Sequence, residues 1–246
     1  MPKFFVKKED ISGNSVTITG GDATHISKVL RMEAGQYVTL CDGEGTDFDA
    51  KILSASKEEV VLSIQSSCLC PAEPSLSFVL FQGIPKQAKM DYIIEKCTEL
   101  GISTIVPVSC ERSVVEIKNA QAEDKKLSRW RKIAAESVKQ CGRGVIPEVT
   151  NVMSIKEAIS YAEHLELSLA AYENEHQISL RELLTGKQPK SIGVFIGPEG
   201  GFSDSEIATF QKSHIPTVTL GRRILRTETA GHTVLTAAMF TFGEME

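Results

Sequence analysis

Val194 to Ile207 reads V-F-I-G-P-E-G-G-F-S-D-S-E-I, and Val218 to Ala230 reads V-T-L-G-R-R-I-L-R-T-E-T-A. In each stretch an apolar run ends in a glycine-bearing loop, and the loop opens a helical pattern. The first loop, Ile196-Gly197-Pro198-Glu199-Gly200-Gly201-Phe202, holds three glycines in five residues. Such residues tolerate positive φ and let a ligand approach the backbone closely. Ser203-x-x-Glu206 is a capping box for the helix that follows. The loop is not a P-loop, because the Lys-Ser/Thr ending is missing. Nor is it a GxGxxG turn, because Pro198-Glu199 fills the wrong positions. Taken alone it reads equally well as a tight strand-to-helix turn.

The second loop, Arg222-Arg223-Ile224-Leu225-Arg226, interleaves three arginines with apolar residues. Thr227 is the expected N-cap of the next helix, and Glu228 suits its positive end. The helix body, Val234 to Phe242, is strongly apolar. Apolar loop residues can cover a flat ring, neighbouring amides can read an adenine edge, and an arginine suits a carboxylate or phosphate. In open α/β sheets ligands bind beyond the carboxyl ends of strands, where both loops would lie.

Upstream, strands and helices alternate. Leu76–Phe81 is an expected strand and Lys86–Leu100 a helix, with Gly101 at its C-cap. Thr104–Val108 is a strand whose Pro107 implies an edge, a strand end or a bulge. Gln121–Cys141 is a long helix with Leu127, Trp130, Ala134, Val138 and Cys141 inward. At that spacing Trp130 reads as core in preference to a base-stacking ring. A capping box at Ser154 starts a helix to about Ala162. Leu165–Tyr172 and Ile192–Ile196 are strands, separated by a short helix over Ser179–Leu184. This grammar implies a mostly parallel α/β sheet.

Residues 1–66 read differently. Strands over Lys3–Val6, Ser15–Thr19, Tyr37–Leu40, Phe48–Leu53 and Val60–Ile64 suggest a small barrel. Asp22–Arg31 reads as one helix, capped by Asp22, with Ile26, Val29 and Leu30 on one face. Ser66–Ser75 carries two prolines and three serines without periodicity and reads as a linker. The expected domains are therefore 1–70 and 73–246.

At 246 residues with net charge −5 the chain is acidic overall, but its charge is uneven. Arg112 to Gly144 holds nine basic and four acidic residues. The first 31 residues carry Lys3, Lys7, Lys8, Lys28 and Arg31 against Glu9, Asp10 and Asp22. Such a face could bind phosphates or could simply be solvated. The six cysteines show no CxxC spacing, and Cys68-x-Cys70 lacks a second ligand pair nearby. Met1–Lys8 has no apolar core of a secretory signal, and no run is long enough to span a bilayer. The expectation is a cytoplasmic protein with reduced thiols, no metal and no membrane partner.

The pair F-I-G-P-E-G-G-F-S-x-x-E and L-G-x-R-I-L-R-x-E-T-A resembles the two signature loops of the bacterial 16S rRNA (uracil-N3)-methyltransferase family, a branch of the SPOUT methyltransferases. The likeness runs over nearly the whole chain. Pro2-Lys3-Phe4-Phe5-Val6 is similar to the family's opening, and His25-x-x-x-Val29-Leu30-Arg31 to its N-terminal helix motif. Gln82-Gly83 with Lys86, Lys89, Asp91, Ile94, Glu95-Lys96 and Thr98-Glu99-Leu100-Gly101 is similar to its first catalytic-domain strand and helix. Trp130 with Gln140, Arg143 and Ile146-Pro147 matches its long basic helix. Two positions depart: Lys3 stands where the family usually has arginine, and Cys141 where small residues are common.

The resemblance implies a PUA-like β-barrel RNA-binding domain, then a trefoil-knotted SPOUT α/β domain, working as a homodimer. It implies S-adenosylmethionine (SAM) as methyl donor and one uridine of 16S ribosomal RNA, U1498 in the family, as acceptor, on naked RNA or the small ribosomal subunit. A SPOUT enzyme acting on another position such as a ribose 2′-hydroxyl is one alternative, and a non-catalytic RNA-binding protein another. A nucleotide hydrolase is a third.

The residues suit that chemistry. A sulfonium is electrophilic without a metal, and a cation beside O2 or O4 would stabilise the uridinate that forms when N3 loses its proton. Arg226 is the expected cation. Glu228 could be a general base, although a helix N-terminus would keep it weak, and His232 is the other base candidate. Ile196, Leu220, Ile224 and Leu225 are expected around the adenine. Gly197, Gly200, Gly201 and Gly221 would allow backbone approach. Pro198, Arg226, Thr229 and Ala230 complete the expected donor site, and Glu199 could bind the ribose or hold the loop. Expected RNA contacts are Lys3, His25, Arg31, Lys86, Arg112, Arg129, Arg143 and Arg222.

Overall fold

The computed structural model describes residues 1–114 and 119–245. Glu116 and Lys118 of the charged window lie outside the described residues. The chain forms two compact units: Met1–Glu73 with Val138–Ile146, and Pro74–Ser137 with Pro147–Glu246. The sequence reading did not foresee that residues 138–146 would join the first unit.

The first unit is built on a six-stranded sheet. Its strands are β1 (Lys3–Phe5), β2 (Ile11–Ser12), β3 (Ser15–Thr19), β4 (Tyr37–Cys41), β5 (Thr46–Ala55) and β6 (Glu59–Leu69), in the order β1-β4-β5-β6-β3-β2. Only β1 and β4 run parallel; the remaining pairs are antiparallel. Val16 and Ile18 alternate with exposed neighbours along β3, and they join Val38, Leu40, Ile52 and Leu62 in one core.

Three expectations change here. The helix expected over Asp22–Arg31 is instead α1 (Gly20–Thr24) followed by one π-helical turn, His25–Val29. Thr19, not Asp22, is the cap position. The wider turn breaks the 3.6-residue period, so Ile26 is buried while Val29 and Leu30 are 66% and 39% exposed. The linker expected from Ser66 is also strand in part. Ser66, Ser67, Cys68 and Leu69 pair with Asp49, Phe48, Asp47 and Thr46 across a register shift. All four are exposed, so no hydrophobic alternation marked them.

The second unit is a parallel sheet in the order β10-β8-β7-β12-β11-β13, with β9 also paired to β8. These strands are β7 (Ser77–Gly83), β8 (Thr104–Ser109), β9 (Glu148–Val149), β10 (Met153–Ser154), β11 (Leu167–Ala171), β12 (Ser191–Ile196) and β13 (Thr217–Val218). Between them run α2 (Lys89–Glu99), α3 (Ala120–Cys141), α4 (Ile155–Ala162), α5 (Leu180–Leu184) and α6 (Asp204–Lys212), and α7 (Thr227–Thr241) follows β13. Two apolar layers cover the two faces of the sheet. Met90, Ile93, Trp130, Val234 and Leu235 belong to one, and Phe81, Phe195, Phe202, Ile159 and Phe210 to the other. Trp130 is thus core, as its spacing implied.

Pro107 has a local explanation. On its outer side β8 pairs with β9 through Thr104 and Ile105 and with β10 through Val108 and Ser109. The ladder skips Val106 and Pro107, where proline has no N–H to donate. Ser154, Ser179 and Ser203 each close a reciprocal capping box, with Glu157, Glu182 and Glu206. No helix among the described residues is long and apolar enough to cross a membrane.

Candidate active site

β12 and β13 deliver the two glycine-bearing loops to the carboxyl edge of the sheet. Between the loops lies a cavity of about 480 Å³, within the usual range for a small-molecule site. Ile196, Leu220, Ile224 and Leu225 supply apolar wall, and Gly197, Gly200, Gly201 and Gly221 leave backbone at its surface. Pro198, Glu199, Arg226 and Ala230 also line it. Of the expected donor residues only Thr229 is not in the lining.

The first loop is held from several sides. A Cβ on Gly83 would stand 2.6 Å from Cδ and N of Pro198, so only glycine lets the end of β7 meet this loop. Gly201 has φ +65°, and a Cβ there would collide with the Glu173 carboxylate. Arg112, exposed, donates to the Gly200 carbonyl at 3.2 Å and so helps anchor the loop.

Thr227 was expected as N-cap, but Arg226 occupies that position and Thr227 is the first helical residue. Its hydroxyl instead donates to the Gly197 carbonyl at 2.6 Å and accepts from the buried Gln82 amide at 2.8 Å. The second loop's helix is thereby tied to the first loop and to β7.

Electrostatics at the cavity centre on Lys89. Its ammonium lies 2.9 Å from Glu199 and 3.1 Å from Glu228. The two carboxylates, Glu199 first, raise the Lys89 pKa. Burial alone would raise the Glu228 pKa, but its own backbone N–H, Lys89 and Arg226 outweigh burial and hold it below the usual carboxylate value. Glu199 behaves likewise: Lys89, its own N–H and the Lys86 N–H overcome burial. Glu228 is therefore an ionised, weak base. Arg226 is 82% exposed at the mouth of the cavity, its guanidinium 3.9 Å from Glu228.

Lys89 stood in the motif quoted above without a role. Tyr172 and Glu173 at the end of β11, together with Thr219 and Arg223, line the cavity too and were not anticipated. No short-range pattern marks Tyr172 and Glu173, because their chain segment is some 25 residues from the first loop, whereas Thr219 and Arg223 lie within the second stretch itself. Among the described residues no group of three or more His, Cys, Asp or Glu side chains could hold a metal ion.

The expected RNA contacts divide. Lys3 is paired with Asp47 at 2.8 Å, both side chains nearly buried, and donates to the Gly142 carbonyl. Arg143 is 4% exposed and paired with Glu73 at 2.8 Å, and Glu73 also accepts from the Gly144 and Val145 N–H groups. Both cations hold the first unit together and are turned away from solvent, so neither is placed to meet a phosphate. Arg129 is exposed but ion-paired with Asp91. His25 and Arg31 in the first unit, and Lys86 and Arg222 in the second, are exposed. The His25 ring packs edge-on against Phe4.

Two family models match the chain: an RNA methyltransferase domain over residues 72–239 and an RNA methyltransferase PUA domain over residues 18–65. The chain is 31% identical over 248 residues to ribosomal RNA small subunit methyltransferase E of Bacillus subtilis, covering 98% of this chain and 96% of that one. Among solved structures it resembles the ribosomal RNA small subunit methyltransferase E of Neisseria gonorrhoeae bound to S-adenosyl methionine. That match has TM-score 0.83 and 29% identity over 98% of this chain and 97% of the other. A methyltransferase of Legionella pneumophila in complex with SAM matches with TM-score 0.82 and 31% identity, covering 97% of each chain.

Proposed function

The chain belongs to the ribosomal RNA small subunit methyltransferase E family, and on that premise we propose that it transfers the methyl group of SAM to N3 of a uridine in 16S ribosomal RNA. The observation that carries this reading is the cavity between the two loops, with apolar walls, backbone exposed at its glycines, and Arg226 at its mouth. Its volume and mixed lining suit an adenosine-sized ligand. Ile196, Leu220 and Leu225 would cover the adenine, and the first loop would present its amides to the rest of the donor.

When bound, SAM would supply an electrophilic methyl on a sulfonium, the carbon–sulfur bond breaking as the bond to N3 forms and the N3 proton passing to solvent. Arg226 stabilises the negative charge that develops on the uracil oxygens. Lys89 and the start of α7 keep Glu228 ionised, so it orients Arg226 and the base and takes up the proton poorly. Exposed His25, Arg31, Lys86 and Arg222 contact RNA phosphates. The working form is a cytoplasmic homodimer acting on 16S rRNA or the small subunit.

Mass spectrometry of ribosomal RNA nucleosides from a deletion strain tests the reading. Loss of 3-methyluridine, restored by the gene, is the expected result; its persistence rules the assignment out. Appearance or loss of a 2′-O-methyl nucleoside in its place would point to the ribose.

A further inference from the structure

We propose that a second cavity of about 390 Å³, lined by Gln87, Ala88, Lys89, Tyr92 and Glu228, receives the pyrimidine base that is to be methylated. The inference rests on the function proposed above and names where its acceptor sits. The two cavities share Lys89, which lines both, and Glu228 is ion-paired with that same ammonium at 3.1 Å. A donor in the larger cavity and a base in the smaller one would therefore be neighbours beside Lys89.

Lys89 in the wall of the smaller cavity suits a uracil carbonyl. Uracil presents an acceptor, a donor and an acceptor: O4, N3–H and O2. The Lys89 ammonium, 3.1 Å from the Glu228 carboxylate, can donate to O4 or O2.

The other side of the cavity supplies a ring. Tyr92 is 46% exposed, and its ring packs edge-on against His232 at 6.0 Å and 73°. The His232 Nδ1 atom is buried with no hydrogen-bond partner among the described residues. An exposed ring held in a fixed plane is how proteins grip an unstacked RNA base. Gln87 borders the cavity with φ +58°, a left-handed conformation unusual for a residue other than glycine.

The test compares Tyr92→Leu with Tyr92→Phe, using steady-state methylation of small-subunit RNA and calorimetric binding of SAM. Loss of the ring should raise KM for RNA about tenfold or more. SAM affinity should stay within about twofold, and Tyr92→Phe should behave as wild type. If Tyr92→Leu methylates RNA with wild-type KM, the base does not sit here. As a second measurement, wild-type protein is photo-crosslinked to RNA carrying 5-iodouridine at the target position. A cross-linked peptide containing Tyr92 is expected, and cross-links confined to other peptides would overturn the assignment. The failure of the underlying function is separately visible, because wild-type protein would then form no 3-methyluridine.

Discussion

The hydroxyl of Thr227 donates a 2.6 Å hydrogen bond to the carbonyl oxygen of Gly197, joining the first turn of α7 to the loop after β12. The same hydroxyl accepts from Gln82, so three segments far apart in sequence converge on one oxygen. Thr227→Val keeps the shape and removes the oxygen, leaving a buried amide and a carbonyl without their partner. The variant should lose about 1–3 kcal/mol of stability. It should also bind SAM more weakly, because the loop is released. Urea denaturation with calorimetric titration reads both; unchanged SAM affinity would show that the tie does not shape the donor site.

Lys89 makes stability at this site depend on pH in a predictable direction. Glu199 and Glu228 are held below their ordinary value of 4.5. Their contribution is complete above that value and is lost as pH falls through the depressed folded value. Lys89 is raised above 10.5, so its contribution is complete below 10.5 and is lost only as pH climbs through the raised value. Lys89→Met should therefore cost about 1 kcal/mol near neutral pH, the pair being partly solvated. It should also flatten the acid limb of the stability profile, measured by urea melts at a series of pH values below about 6. An acid limb as steep as in wild type would show that Lys89 does not hold these carboxylates.

Arg226 separates chemistry from folding. Its side chain is 82% exposed, and the one contact described for it is the 3.9 Å approach to Glu228. Arg226→Ala should change stability by no more than about 0.5 kcal/mol. Turnover should fall by about 100-fold or more, as when a charge-stabilising donor is removed. Methylation assays beside thermal melts decide this; near-wild-type turnover would remove Arg226 from the mechanism.

Arg143 and Arg222 should part company. Arg143→Ala removes the cation from a half-buried Glu73 that keeps its two backbone donors, and should destabilise the protein by about 1–3 kcal/mol. Arg222→Ala, at an exposed loop position, should leave the melt unchanged, weaken RNA binding and reduce its salt dependence. Filter binding at several salt concentrations checks the second variant. An Arg143→Ala protein of full stability would contradict the structural role given to that pair.

Much of the architecture was legible in the chain itself. Periodicity marked α2 and α3, because apolar spacing at 3.6 residues is a local signal, and a strongly apolar run marked α7. Capping boxes at Ser154 and Ser203 marked helix starts for the same reason. The two loops declared themselves as a pair through their glycines and arginines. Where the sequence misled, a non-local or non-periodic feature was at work. The π turn at His25–Val29 shifted Val29 and Leu30 outward, and β6 continued through serines that bury nothing.

Burial and pairing were decided by tertiary structure. Lys3, Arg143, Arg129 and Arg222 look alike as letters, yet two are locked in buried ion pairs, one is paired at the surface, and one is exposed with no partner described for it. Lys89 gained its role only when the sheet brought Glu199 and Glu228 from positions more than 100 residues away to within 3.1 Å of one ammonium. A sequence records which groups can ionise or donate. Which opposite charge stands beside each one, and how much water remains around the pair, depends on chain segments that meet only after folding.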